Sequence, residues 1–355
     1  MSIFTLNEAC SFVTEIALSE KLYESETSCI FVEIDPTART DDIDRFCRFV
    51  KHNNSVNLVI VGILNCSDEE LPSDFLMSFD ILLTDSRISQ LPAFVEDISI
   101  AIQELEKMIS IHTQPSLVLA HLLRQKAYQN VSQGLVLESL SYGMLQSGSQ
   151  FKAWLNQRGD MSQILDGKPA VLANRSDESL EIYLNRPERS NAFSSDMRDQ
   201  LFDFLQIARF DETVTRVKLL GLGKSFCSGG DLAEFGLVDF PPDGHIIRMH
   251  RSPALSSHSI ADKLEVYLHG VCAGAGIEIP AFASKVFGNE SVEIFLPEIS
   301  MGLIPGAGGT VSLPRRIGPQ KTAYLAMSGK RLPLSEALAW GLIDEVVDYE
   351  PNYLE

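Results

Sequence analysis

The chain is short of basic residues. Against 48 Asp and Glu it carries 29 Lys and Arg, for a formal net charge of −19 over 355 residues. Such a surface disfavours nucleic acid and anionic membranes as partners, and any anionic ligand must be held by a local device rather than by the overall field. A basic head ahead of an apolar stretch is missing from "MSIFTLNEACSFVTEIALSE", so no signal peptide is expected and a cytoplasmic location is. The apolar run 56–64, "VNLVIVGIL", is far shorter than the roughly 20 residues a bilayer span needs. The six cysteines (Cys10, Cys29, Cys47, Cys66, Cys227, Cys272) form no CxxC pair. Neither a disulfide frame nor a zinc site is expected, and each thiol reads as packing. With 45% hydrophobic and 22% charged residues, enough apolar mass remains for a sizeable core.

Two glycine motifs also fall short of familiar patterns. "GLGKSF" (221–226) lacks the third glycine of a dinucleotide fingerprint, and "GAGGTV" (306–311) lacks the Lys-Ser/Thr of a phosphate loop.

Three stretches differ in texture. Residues 1–112 alternate strand-like runs (28–34, 56–64, 79–84) with helical spacing at 41–52 and 95–111, which predicts a small α/β domain with a mostly parallel sheet. Asp35 and Asp85, each just after a strand, read as turn or cap residues. Residues 113–160 read as helix in two or three pieces, with His121 packed on an apolar face, and 158–179 reads as a linker. From 175 to 355 strands are expected at 180–184, 216–222 and 265–268, with helices at 194–209, 274–284 and 319–327.

Within 175–355 a pair of glycine-rich turns leave strands, "FCSGGDLAEFG" (226–236) and "HGVCAGAGIE" (269–278). Bare backbone lets a ligand approach main-chain N–H groups. Two such groups aimed at one point would make an oxyanion hole, where a single donor is typically worth about 3–4 kcal/mol in the transition state. Glu278 lies one helical turn beyond Ala275. Glu298 heads "FLPEISMGLIPGAGG", which carries no charge from Ile299 to Val311. A carboxyl there faces desolvation, which raises its pKa toward neutrality.

With these residues in place, 179–347 resembles the crotonase (enoyl-CoA hydratase/isomerase) superfamily. "LNRPERSNAFSSDM" resembles its first strand and turn, "KSFCSGGDLAEF" and "HGVCAGAGIEI" its two oxyanion turns, "LPEISMGLIPGAGGTVSLPRRIG" its acid loop and "ALAWGLIDEVV" its closing segment. The resemblance implies a crotonase-like ββα superhelix core, preceded here by a small α/β and a helical region. It implies an acyl-CoA thioester as substrate, coenzyme A being part of that substrate, with no prosthetic group, no metal, and a homo-oligomer. Carried over by position, the backbone N–H groups of Ser228 and Ala275 would hold the thioester oxygen as an enolate forms. Glu278 would activate water for C3 and Glu298 would protonate C2. The CoA moiety would lie against Ala192, Ser228, Gly229 and Asp231, with Asp231 also capping or bracing its turn. By charge, Arg186 and Arg189 are candidate phosphate contacts, ordinary solvated arginines being the alternative.

Both acids being present favours hydration or its reverse, since isomerases of the family often keep only the second. The long N-terminal extension also resembles that of the dihydroxyphenylacetyl-CoA dioxygenases, which keeps an oxygenase or isomerase open as an alternative. A non-catalytic acyl-CoA-binding protein is a third, which two desolvated carboxyls argue against. Pro280 is expected to kink the helix carrying Glu278. Few residues follow 337–347, where relatives continue with further helices, and the helices of 115–157 are expected to take over the covering role. The segment 236–259, with His245, His250, Arg251 and His258, is expected to shape the acyl pocket.

Overall fold

The computed structural model describes residues 3–15, 18–24, 26–87, 91–161, 167–238 and 240–349. It divides into two compact units, one of residues 1–126 with 318–328, the other of residues 127–317 with 329–355.

The first unit holds a five-stranded parallel sheet in sequential order: Ile3–Thr5, Cys29–Ile34, Val59–Leu64, Ile81–Thr84, Ala93–Phe94. Its central strand, "VIVGIL", is buried at every residue, as a strand covered on both faces should be. Helix Thr40–His52 brings Phe46 against Phe75 and Phe79 on one face of the sheet. A buried ion pair, Arg124 to Asp80 at 2.6 Å, closes one end, where Asp80 also accepts the Ile60 amide. His121 is held by the Val56 carbonyl at 3.0 Å, in a packing role.

The second unit is built on a six-stranded sheet. Its order runs Glu345–Val346, Lys285–Gly288, Leu264–Leu268, Arg216–Gly221, Ser179–Leu184, Val171–Ser176, parallel except for the last pair. A small sheet of Val271–Ala273, Glu293–Phe295 and Leu332–Pro333 stands beside it. Helix Ser195–Phe210 starts at Ser194, whose hydroxyl accepts the Met197 amide, and buries Met197, Leu201, Leu205 and Ala208 at helical spacing.

Three boundaries differ from those expected. The helical stretch 113–160 is divided: Thr113–Arg124 packs in the first unit, while Val131–Gln146 and Ser149–Arg158 pack in the second. The break falls at Lys126, whose φ of 53° no helix continues through. Helix Pro319–Ser328, buried at residues 320–327, belongs with the first unit, where it packs against strands Ile81–Thr84 and Ala93–Phe94 and helices Ile98–Ile111 and Thr113–Arg124. Some of the expected linker, Val171–Ser176, is an edge strand; residues 162–166 of it lie outside the described residues.

Candidate active site

Two strand ends meet where the glycine turns begin. Cys227 and Cys272 form a parallel bridge, with the Cys227 amide donating to Val271 O at 3.2 Å and the Ala273 amide to Cys227 O at 3.0 Å. This fixes the two turns in register. Three residues beyond each cysteine stand Gly230 and Ala275, and both line one cavity of about 220 Å³. Among the described residues neither the Gly230 nor the Ala275 amide has an acceptor. Both thiols are buried, and burial pushes Cys227 up to about 12, so they pack rather than react.

Ser228 does not play the role expected of it. Its amide donates to Ser190 O at 3.0 Å and is not free for a ligand. The reason is the local ladder, in which Phe193 N donates to Gly229 O and Asp231 N to Phe193 O. That pattern engages residues 228, 229 and 231 and skips the Gly230 amide. Gly229, at φ 96°, makes the bend that aims Gly230 inward.

Glu278 closes a single helical turn, Ala275–Glu278, after which Pro280 opens a tighter turn, Pro280–Phe282. The expected long helix 274–284 is therefore cut at the proline. The carboxyl nonetheless faces the cavity, with Oε2 accepting the Ala307 and Gly309 amides, each at 2.8 Å. Glu298 lies beside Gly274, at φ 48°, where any Cβ would run into its Oε1. Its Oε2 is buried with no partner among the described residues. Burial pushes Glu298 up to about 8 and Glu278 well above the usual carboxylate range, the Glu298 charge adding to the latter.

A third acid was missed by sequence reasoning. Helix Val131–Gln146, capped by Asn130, buries Val131, Gly134, Leu135, Glu138 and Ser139 on one face. It lies close against helix Gly309–Ile317, for a Cβ at Gly134 would meet Val311 at 2.7 Å. Glu138 is 2% exposed. Its Oε1 accepts the Gly308 amide at 2.8 Å, and its Oε2 accepts the Thr310 amide and hydroxyl at 2.9 and 2.7 Å. Burial raises it to about 7, the Thr310 and Gly308 bonds opposing. A charged residue on the otherwise apolar and small face of this helix was the available signal. Tyr142 and Gln146, further along the helix, also line the cavity. All of these stand in the helical region expected to take a covering role.

The expected CoA contacts divide. Arg186 is buried and pairs with Asp231 at 2.8 Å, also donating to Ala192 O at 2.7 Å. It cannot reach a solvated phosphate, which corrects both alternatives raised for it. Asp231 thereby braces the turn, and it also accepts the Ala233 amide. Arg189 is half-buried in the turn Pro187–Arg189, so its charge remains near the surface. In 236–259, residue 239 lies outside the described residues. His245 bonds to Ser139 Oγ at 2.9 Å, Arg251 pairs with Asp203 at 2.9 Å, and His258 packs by Phe282. Arg251 lines an inner chamber of about 80 Å³, and Arg248, not anticipated, lines both chambers.

Among the described residues no helix is long and apolar enough to cross a membrane, and no cluster of three metal-ligating side chains occurs. The family model for enoyl-CoA hydratase/isomerase matches residues 175–351. The 1,2-epoxyphenylacetyl-CoA isomerase of Escherichia coli (strain K12) is 32% identical over 184 residues, 51% of this chain and 70% of that protein. The 2,3-dehydroadipyl-CoA hydratase of the same strain is 28% identical over 176 residues, 50% of this chain and 68% of that one. Among solved structures, an enoyl-CoA hydratase from Thermoplasma volcanium GSS1 shares 33% identity, with a TM-score of 0.48, over 52% of this chain and 75% of that one. Motifs, family model and relatives agree: the chain belongs to the enoyl-CoA hydratase/isomerase (crotonase) family.

Proposed function

We propose that the chain is an enoyl-CoA hydratase-type lyase, adding water to an acyl-CoA thioester or removing it, with coenzyme A entering as a portion of the substrate. The observation that carries this reading is the convergence on one cavity of two amides without an acceptor among the described residues, Gly230 and Ala275, and two buried carboxyls, Glu278 and Glu298. Gly230 replaces Ser228 as the first donor.

In this reading the thioester oxygen lies against the two amides. Glu278 takes a proton from water as the water oxygen bonds to C3. The C2–C3 π pair shifts toward the thioester oxygen, where the amides stabilise it as an enolate. Glu298 then gives a proton to C2 as the carbonyl reforms, for a net addition of one water. The two carboxyls titrate as a pair. Two amide donors on Glu278 Oε2 favour the anion there. Glu298, raised to about 8 with an unpartnered oxygen, is suited to hold the proton. Arg189, Ala192, Gly229 and Asp231 remain the proposed surroundings of the CoA moiety.

The test is turnover of a panel of trans-2-enoyl-CoA thioesters by the full chain and by Glu278→Gln and Glu298→Gln. Each variant should lose about 10²- to 10⁴-fold in kcat while CoA binding persists. Hydration surviving both substitutions would sink the reading. Oxygen uptake, or a shifted double bond without net water addition, would assign the site to the oxygenase or isomerase alternative. Binding without any turnover would leave an acyl-CoA carrier.

A further inference from the structure

Arg248 is a cation in search of an anion. Its guanidinium lines both the cavity that holds Glu278 and Glu298 and the inner chamber behind it. Helix Val131–Gln146 holds it in place: Nε donates to Ser139 Oγ at 2.9 Å, Nη2 to Ser139 O at 3.1 Å and Nη1 to Gln146 Oε1 at 3.5 Å, and the guanidinium lies 4.8 Å from the centre of the Tyr142 ring. These partners are neutral. Among the described residues no carboxylate oxygen lies within ion-pair distance of it. The nearby Glu138 feels the Arg248 charge but makes no ion pair with it, its oxygens bonding instead to Gly308 and Thr310. Arg198, the other arginine lining both chambers, already pairs with Asp199 at 2.8 Å.

Arg248 is half-buried, and a guanidinium partly drawn from water with no ion-paired carboxylate costs free energy that a ligand carboxylate would offset. Nothing in a plain alkyl chain would do so. The inner wall is mixed: Glu138, Arg198 and Arg251 also line it, while Leu135, Pro253, Ala254 and Ile279 give it an apolar part that would suit a short hydrocarbon spacer. Burial raises Glu298 to about 8, so its neutral form is favoured near neutrality and repels an incoming anion little.

Building on the acyl-thioester reading, we infer that the acyl group ends in a carboxylate, that this carboxylate pairs with Arg248, and that an apolar spacer fills the inner chamber. The substrate class is the CoA thioester of a dicarboxylic acid. The fork of the guanidinium matches a carboxylate, and charge-assisted bonds of this kind are the strong ones.

The test is calorimetric binding to the full chain of free CoA and of saturated acyl-CoA thioesters. Diacid and monoacid members are matched in length from four to eight carbons. Saturated thioesters cannot be hydrated, so the result does not depend on which reaction the site performs. At one length or more the diacid should bind about tenfold tighter or better than its monoacid partner. Arg248→Met should abolish that preference and leave free CoA unchanged, and Arg248→Lys should restore some of it. Equal affinities for diacid and monoacid at every length would overturn the inference, and the wild-type series decides this even if the methionine variant fails to fold. A loss of free-CoA affinity in Arg248→Met equal to the loss for the diacid would also overturn it, by making the guanidinium a phosphate contact. Hydration of simple enoyl-CoA thioesters with no diacid preference would sink this inference and leave the proposed reaction standing.

Discussion

Glu138 and Glu278 divide four consecutive main-chain amides between them. Glu278 holds those of Ala307 and Gly309, and Glu138 holds those of Gly308 and Thr310. A glycine-rich loop that would otherwise be soft is thereby clamped from two sides by carboxylates on different helices. Glu138 touches no atom of the proposed reacting centre. It sets the loop that sets Glu278, and is a positioning residue.

Glu138→Gln should separate that role from a purely structural one. The amide NH₂ would face a loop N–H, leaving buried donors unpaired at about 1–3 kcal/mol, so the thermal midpoint should fall. Glu278 would lose its fixed orientation, and kcat should drop about tenfold or more with little change in KM. A lowered midpoint with kcat intact at a temperature where the protein stays folded would make Glu138 a packing residue only.

The two amides can be tested one at a time. Ala275 is the first residue of its helical turn, a position where proline is tolerated because the N–H has no helical partner. Ala275→Pro removes the donor and sets the ring Cδ where its hydrogen was, closing that corner of the cavity to a thioester oxygen. A fall of about 10²- to 10³-fold in kcat is expected, with circular dichroism close to wild type. Ser228→Pro would instead delete a backbone bond to Ser190 and should show first as lost stability. A folded Ala275→Pro protein with full activity would remove Ala275 from the oxyanion site.

Glu298 predicts two pH effects of the same origin. Burial lifts its carboxyl from an ordinary value of 4.5 to about 8. As the proton donor it must be protonated, so kcat for hydration should decline as pH rises through about 8. Because its pKa is raised on folding, its contribution to stability is fully present below about 4.5 and is lost as pH climbs through about 8. Unfolding free energy should therefore shrink from pH 5 to pH 9, and shrink less in Glu298→Gln, which has nothing to titrate there. Denaturant titrations at several pH values, set beside a pH–rate profile, check both. Parallel pH dependence in wild type and variant would contradict the placement of Glu298.

Much of the second unit was legible because it rests on local chemistry. Strand runs such as 216–221 alternate buried and open residues as the sequence alternates. Glycine marks bends such as Gly229 and Gly274, whose φ values only glycine adopts at low cost. Glu278 and Glu298 stand out as acids in apolar surroundings. Glu138 is signalled only weakly: it interrupts the face of Val131, Gly134 and Leu135, but its helix also exposes Val136, Leu140 and Met144, so the buried face does not stand out in the sequence. What buries it is a loop 170 positions away in sequence. Arg186 misled in the opposite direction: its charge suggests a ligand contact, while its burial and its partner Asp231, 45 positions on, make it a brace.

By itself, then, the sequence determined the family, the two turns, and the two acids that face the cavity, since each is written in a few adjacent residues. Only the tertiary structure decided which amide of the first turn is free. Ser228 and Gly230 are near-equivalent as text, and they differ because a parallel bridge and a neighbouring loop engage one N–H and leave the other open. The same holds for Glu138 and Arg248, whose meaning comes from partners that chain folding alone brings within hydrogen-bond reach.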